Sequence, residues 1–419
     1  MKNFNKNRLK RKFLAIISVF LFLTGSCTRE EIHYYDFYVS KEFKTSYTKQ
    51  KIVSLLNLLP DEIPEIIALK QSVNYDVIIY KIVYNTQISG KTIRASGLLC
   101  LPGSEGEFPV VCFQNGTNTV NLWSPSESPN NPVIQIIEAV ASMGYVVLIP
   151  DYPGFGESAG IPHPYLIAAP TIRSIIDMLF GAGEAIENEF PGISLKNEYY
   201  LLGYSQGGWA TLNLHKSLEQ DYSSKINLAG TVCGAGPYDL KKSFSDILAS
   251  QTYGMPVYLG YIVYAYKAYG LVKNTMQEIF NEPYSSRIGT LFDGSHTSAQ
   301  INEKLTFSIP ELVNENLIEG FETSPDYSSL RQALEENSIQ PWKTKIPLLF
   351  IHGGDDTSVE PLLTEMIYEK MILQGTSPEI CKKEIIPGLD HGAAYIPFLL
   401  KGFTFLRNVK DNKISHWEN

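Results

Sequence analysis

The stretch LLGYSQGGWA, residues 201–210, sets a serine between glycines directly after a short apolar run. Gly203-Tyr204-Ser205-Gln206-Gly207 fits G-x-S-x-G, in which a strand turns sharply into a helix and lifts a serine hydroxyl clear of the turn. The turn imposes strained backbone angles and brings neighbouring backbone close, so the residues two before and two after must be small. Ser205 is thereby a candidate nucleophile. A serine hydroxyl is weak at neutral pH, however, and needs a positioned base, an orienting carboxylate and hydrogen-bond donors for the charge it creates. Those partners must come from elsewhere in the chain.

Outward from this point, apolar runs alternate with helical stretches. VIIYKIVYNTQISGKTIRASGLLCLP (77–102) reads as two strands joined at Ser89-Gly90, FPVVCFQNG (108–116) as a strand, and Asn131-Pro132 as the start of a helix reaching about Met143. GYVVLIPD (144–151) is a strand, and Thr171 to about Ile186 is helical, with Ile172, Ile175, Ile176 and Leu179 along one face. The strand YYLLGYS leads into a helix from Gln206 to about Leu218. LAGTVCGAG (228–236), IPLLFIHGG (346–354) and CKKEIIPG (381–388) are further strands, with a helix from about Pro361 to Leu373 before the last. Continuous apolar strands separated by helices imply an α/β fold: a mostly parallel sheet with helices on both faces, the leading hairpin adding an antiparallel edge.

Residues 240–343 break the rhythm, with helical patches, many tyrosines and no good core strand; they read as an inserted helical cap. Tyr258, Ile262, Ala265 and Tyr269 fall on one helical face there. Expected boundaries are a leader over 1–27, an N-terminal extension over 28–72, a core over 73–239 and 344–410, and the cap between the two core segments.

With 44% hydrophobic and 19% charged residues, the 419-residue chain has ample core material and is not a disordered one. Its net charge of −9 argues against a nucleic-acid partner. Lys2, Lys6, Arg8, Lys10, Arg11 and Lys12 precede an apolar run from Phe13 to Leu23, then Thr24-Gly25-Ser26-Cys27, the layout of an export signal. The run is too short for a comfortable membrane span. With a cysteine at the cleavage point it resembles a bacterial lipoprotein signal, which implies lipidation of Cys27 and a membrane anchor facing the periplasm or cell exterior. Thr24 stands where that pattern usually has leucine, and plain secretion is the alternative. Cys100, Cys112, Cys233 and Cys381 lie in or beside apolar strands without metal-ligand spacing, compatible with pairing or with buried free thiols.

Three histidines follow the cap. His352 lies inside a strand, which suits a structural role; His416 lies in the polar C-terminal tail. His391, in PGLDHGAAY, occupies a turn-rich loop after a strand, from which an imidazole could reach Ser205. HGGDDTSVEP follows the strand ending near His352 and offers Asp355 and Asp356 as the acid.

From residue 75 to 408 the chain resembles the α/β-hydrolase family. The resemblance implies that His352-Gly353 and Val359 place the acid at Asp356, leaving Asp355 as a loop-capping residue. DYPGFGES (151–158) is similar to the family's D-x-x-G-x-G-x-S loop, and FQNGTNT (113–119) occupies the loop that completes the oxyanion hole. Many relatives have His-Gly there; Asn115-Gly116 here makes the assignment to the Gly116 or Thr117 N–H less direct, the second donor being the Gln206 N–H. HPYLIAAPTIRSIIDML (163–179) with GYSQGG resembles secreted lipases and esterases, His163 supporting local structure beside the site entrance.

The implied function is hydrolysis of carboxylic esters by Ser205, His391 and Asp356 through an acyl-enzyme, without cofactor or metal. Tyr258 and Tyr269 are expected in the substrate pocket. A serine peptidase on the same fold and a catalytically silent binding protein are the rivals.

Overall fold

The computed structural model describes residues 36–57 and 64–412. The leader, with Cys27, and the tail, with His416, lie outside the described residues. Nine strands form one sheet: β1 (Tyr38–Tyr47), β2 (Val77–Ile88), β3 (Lys91–Pro102), β4 (Gly106–Gln114), β5 (Val146–Pro150), β6 (Ile193–Tyr204), β7 (Leu228–Gly234), β8 (Leu348–Gly353) and β9 (Cys381–Ile386). Their order is β1-β2-β3-β5-β4-β6-β7-β8-β9. Strands β1, β2, β3 and β5 pair antiparallel in sequence across the sheet, and all pairings from β5 through β9 are parallel.

The β2–β3 hairpin turns on Ser89 and Gly90, both at positive φ, as a two-residue turn between twisted strands requires. The central strands are apolar throughout because both faces are covered. Leu201 and Leu202, neighbours in β6, are fully buried in different clusters. One cluster takes Ile172, Ile175 and Leu179 of the Ala168–Glu189 helix; the other takes Phe398, Phe405 and Leu406 of the Tyr395–Lys410 helix.

The segment read as an N-terminal extension contributes β1, which pairs with β2 as an edge strand. Ser40, Glu42, Phe43 and Ser46 of β1 are exposed, and its pairing slips register twice, so no clean apolar alternation marks it. Two expectations need correction. Helix 168–189 begins earlier and ends later than its apolar face suggests. Finally, the Pro256–Ala268 helix does not carry a single apolar stripe. Val257, Leu259, Tyr261, Ile262, Val263, Ala265 and Tyr266 are all buried, so it is covered on nearly every side.

That helix belongs to the segment between β7 and β8, which folds as helices from Leu240 to Glu336. The crossover packs over the carboxyl ends of the strands, through contacts such as the Tyr266 hydroxyl donating to the Leu166 carbonyl (3.1 Å) and Tyr261 stacked on Tyr165 at 4.4 Å.

Candidate active site

Ser205 sits between β6 and the Gln206–Asp221 helix at φ 59°, ψ −122°, backbone angles an L-residue adopts only under constraint. The constraint is visible atom by atom. A Cβ at Gly203 would lie 2.2 Å from Thr211 Oγ1 and one at Gly207 only 1.9 Å from the Gln114 carbonyl oxygen. Both glycines are required because β4 and the helix start close on the turn. The Ser205 N–H donates to the Gly234 carbonyl (2.8 Å), tying the turn to β7.

The loops after β8 and β9 bring the other two groups to it. A Cβ at Gly353 would meet the Leu389 carbonyl at 2.3 Å, so this glycine lets the two loops touch. His391 Nδ1 lies 2.5 Å from Asp356 Oδ2, and Nε2 lies 2.9 Å from Ser205 Oγ. Because a carboxylate only accepts, Nδ1 carries the proton and the Nε2 lone pair faces the serine hydroxyl. Asp356 is buried and His391 partly exposed. Asp356 Oδ1 accepts the Ser358 and Val359 N–H groups at 2.9 Å each. Burial alone would raise its carboxyl, but the hydrogen bonds from His352, His391 and Val359 outweigh it and hold it far below the usual carboxylate range. Asp355 is exposed; its backbone N–H donates to the Leu389 carbonyl, and its side chain caps no backbone N–H among the described residues. The capping expected of Asp355 is done by Asp356.

The Gln206 N–H opens the helix, where the peptide dipoles favour negative charge. The Gly116 loop runs so near that a Cβ there would lie 3.8 Å from Ser205 Cβ. Neither Gly116 nor Thr117 gives its N–H to another backbone carbonyl among the described residues. Asn115 donates its amide to the Pro150 carbonyl at 2.7 Å and pins this loop to the end of β5. The Thr117 hydroxyl bonds Tyr165 OH at 2.9 Å.

A cavity of about 460 Å³ opens at Ser205, walled by Asn115, Thr117, Trp123, Tyr258, His391 and Tyr395 among others. Tyr258 lines it. Tyr269 does not: its hydroxyl donates to the Pro162 carbonyl at 2.8 Å, and the side chain packs away from Ser205, so its expected place in the pocket is corrected. No group of acidic, histidine or cysteine side chains among the described residues could hold a metal ion.

Residues 131–393, which include Ser205, Asp356 and His391, match the family model described as serine aminopeptidase, S33. The chain belongs to the serine aminopeptidase S33 family. Solved structures place this S33 chain among α/β hydrolases. It is similar to a protein of Legionella pneumophila provisionally described as a hydrolase (26% identity, TM-score 0.77, 91% of this chain and 99% of that one). It shares its fold with the rice cell wall degrading esterase LipA of Xanthomonas oryzae (22%, TM-score 0.75, 88% and 97%) and with Candida antarctica lipase A (16%, TM-score 0.65, 90% and 82%). No curated protein sequence matches the chain.

Sequence reasoning missed two contacts in this S33 site. His352 is fully buried and donates from Nε2 to Asp356 Oδ2 (3.1 Å) and the Val359 carbonyl (2.9 Å), while Thr364 Oγ1 lies 2.7 Å from Nδ1. Its four-residue spacing from Asp356 was the available signal. Tyr204 donates its hydroxyl to the His391 carbonyl at 2.7 Å, anchoring the loop that carries the imidazole. Around them, Asp151 accepts from Ser96 Oγ (2.5 Å) and Ser126 Oγ (2.6 Å), which makes the 151–158 loop a scaffold. His163 is held between the Pro153 carbonyl (2.7 Å) and Gln206 Nε2 (2.8 Å), and burial pushes its imidazole down to about 4. It stays neutral and supports Gln206.

Proposed function

We propose that this α/β hydrolase cleaves carboxylic esters. The observation that carries the reading is the unbroken hydrogen-bonded line Ser205–His391–Asp356 at the floor of a cavity without cationic side chains. Ser205 Oγ attacks the ester carbonyl carbon as its proton passes to His391 Nε2. The carbonyl oxygen takes the negative charge, facing the Gln206 N–H and the Gly116 or Thr117 N–H. Collapse breaks the bond to the alcohol oxygen, which leaves with the proton from Nε2 and yields an acyl-Ser205. Water then gives a proton to the same nitrogen and attacks the acyl carbon; the bond to Ser205 Oγ breaks, Oγ takes the proton back from Nε2, and the acid leaves. Asp356 holds Nδ1–H throughout and stabilises the imidazolium.

The family description names aminopeptidases, which must hold a protonated substrate amine. In the two cavities bordering Ser205, Asp151 is the only carboxylate among the lining residues, and it is buried on its serine partners. That charge balance supports an uncharged ester over a peptide amine. Activity on p-nitrophenyl butyrate, with covalent labelling of Ser205 by a fluorophosphonate, tests the proposal. Turnover of an aminoacyl p-nitroanilide in place of the ester would establish the peptidase reading instead.

Export with a lipid anchor at Cys27 is the accompanying proposal for location, supported by the leader's charge and apolar pattern. Among the described residues no helix is long and apolar enough to cross a membrane. Cys27→Ser should move the protein out of the membrane fraction or leave an unprocessed precursor.

A further inference from the structure

Ser205 borders two cavities, not one. Beside the space of about 460 Å³ lies a second of about 50 Å³, walled by Leu240, Phe244, Ile247, Leu259, Ile262 and Val359. Ser205 and Tyr258 line both, so the Tyr258 side chain stands at the partition. Its hydroxyl makes no hydrogen bond to another described side chain or carbonyl, and burial pushes it up to about 12.

The two spaces differ in what faces them. His391 lines the larger and not the smaller; Gln206 lines the smaller and not the larger. An ester carbon bonded to Ser205 Oγ has two further arms, the acyl chain and the alcohol oxygen. The alcohol oxygen must come within hydrogen-bond reach of His391 Nε2 to take up its proton. The alcohol therefore occupies the larger space and the acyl chain the smaller. At about 10–15 Å³ for each water-sized atom, the smaller space holds on the order of three to five. Its lining is mostly apolar, with Gln206, Ser243 and Ser358 among its polar members and no charged side chain, so a charged acyl group finds no counter-charge there. At the rim of the larger space Trp123 is 53% exposed, with Val133 beside it at 44%, an apolar platform for a sizeable alcohol.

We propose that the protein selects esters of short acyl groups, acetyl to about hexanoyl, carried on a large uncharged alcohol, with the Leu240–Phe244–Ile262 chamber setting the acyl limit. This rests on the ester-cleaving reading above. The test is kcat/KM for p-nitrophenyl acetate, butyrate and octanoate on the full chain, each below its solubility limit. Butyrate should exceed octanoate by at least about 10-fold, and Ile262→Ala or Tyr258→Ala should narrow that ratio by about 10-fold by lengthening or opening the chamber. With acetyl fixed, phenethyl acetate should be cleaved faster than ethyl acetate, and Trp123→Ala should remove the difference. Octanoate cleaved as fast as butyrate by the wild type overturns the chamber assignment while leaving the esterase reading intact. Fluorophosphonate labelling of Ser205 without cleavage of any ester overturns both. The wild-type series decides the matter even where a chamber variant fails to fold.

Discussion

At the scale of single residues, chemistry and support are distributed unequally among neighbours. Asp356 accepts from two imidazoles and two backbone N–H groups, whereas Asp355 next to it points to water. Ser205→Ala, His391→Ala and Asp356→Ala should each lower kcat by at least roughly 10³-fold, since the three act as a unit. Asp355→Ala should change kcat by less than about threefold on the same substrate. His352 acts only through Asp356, so His352→Gln should slow turnover by about 10-fold with KM little changed, a loss of positioning rather than of a reacting group. Steady-state kinetics on p-nitrophenyl butyrate separates these outcomes. Ser205, His391 and Asp356, the proposed nucleophile, base and acid, are legible in the sequence because each sits in a short motif at a strand end. His352 was read as structural because nothing in a sequence shows that one strand's inward side chain touches the next loop's carboxylate. Helical spacing alone puts Tyr269 in the pocket, but it is the residue that ends its helix, turned toward Pro162. Tyr269→Phe should therefore leave the acyl-length profile unchanged.

Among elements, the tightest demand falls on the junction of β6 with the helix that follows. Gly207→Ala drives a methyl to within 1.9 Å of the Gln114 carbonyl oxygen, backbone that cannot step aside without moving β4. It should cost at least about 2 kcal/mol in denaturant unfolding. Gly254→Ala, in the helical segment with nothing within 4 Å, should stay within about 0.5 kcal/mol. The same contrast explains what could be read beforehand. Strands β5, β7 and β8, and β4 from Phe108 on, are buried nearly throughout and announce themselves as apolar runs. Strand β1 has only Tyr38 and Tyr47 fully buried, and its place at the sheet edge comes from long-range pairing, with Glu184 accepting the Phe37 and Tyr38 N–H groups. No local pattern records such a partner.

Over the whole molecule, the two apolar clusters on either side of the sheet enclose one ionisable group with no obvious task. Glu138 is fully buried, and neither carboxylate oxygen has a hydrogen-bond partner among the described residues. Burial pushes its carboxyl up to about 8, with the charge of Lys51 opposing. A raised acid binds its proton more tightly in the folded than in the unfolded chain. Its stabilising contribution is therefore complete below about pH 4.5 and is lost as pH rises toward 8. Glu138→Gln removes this dependence, while the amide's own burial cost is the same at every pH. The variant's stability relative to wild type should grow between pH 5 and pH 8 by on the order of a few kcal/mol, a tenfold change in protonation being about 1.4 kcal/mol. Thermal unfolding of both proteins across that range reads the slope, and parallel curves would refute it.

Cys100, Cys112, Cys233 and Cys381 are unpaired, and each is shut off completely from solvent. Burial pushes all four thiols up, Cys112 and Cys381 to about 12, so they are poor nucleophiles as well as unreachable ones. Among the described residues the fold consequently owes nothing to disulfide formation. It also carries its own gauge of opening: strands β3, β4, β7 and β9 each hold one thiol, and an alkylating reagent can reach them only when the sheet comes apart. The rate at which these four positions gain mass in a native solution is a strand-by-strand record of how the sheet opens, obtained without attaching any probe.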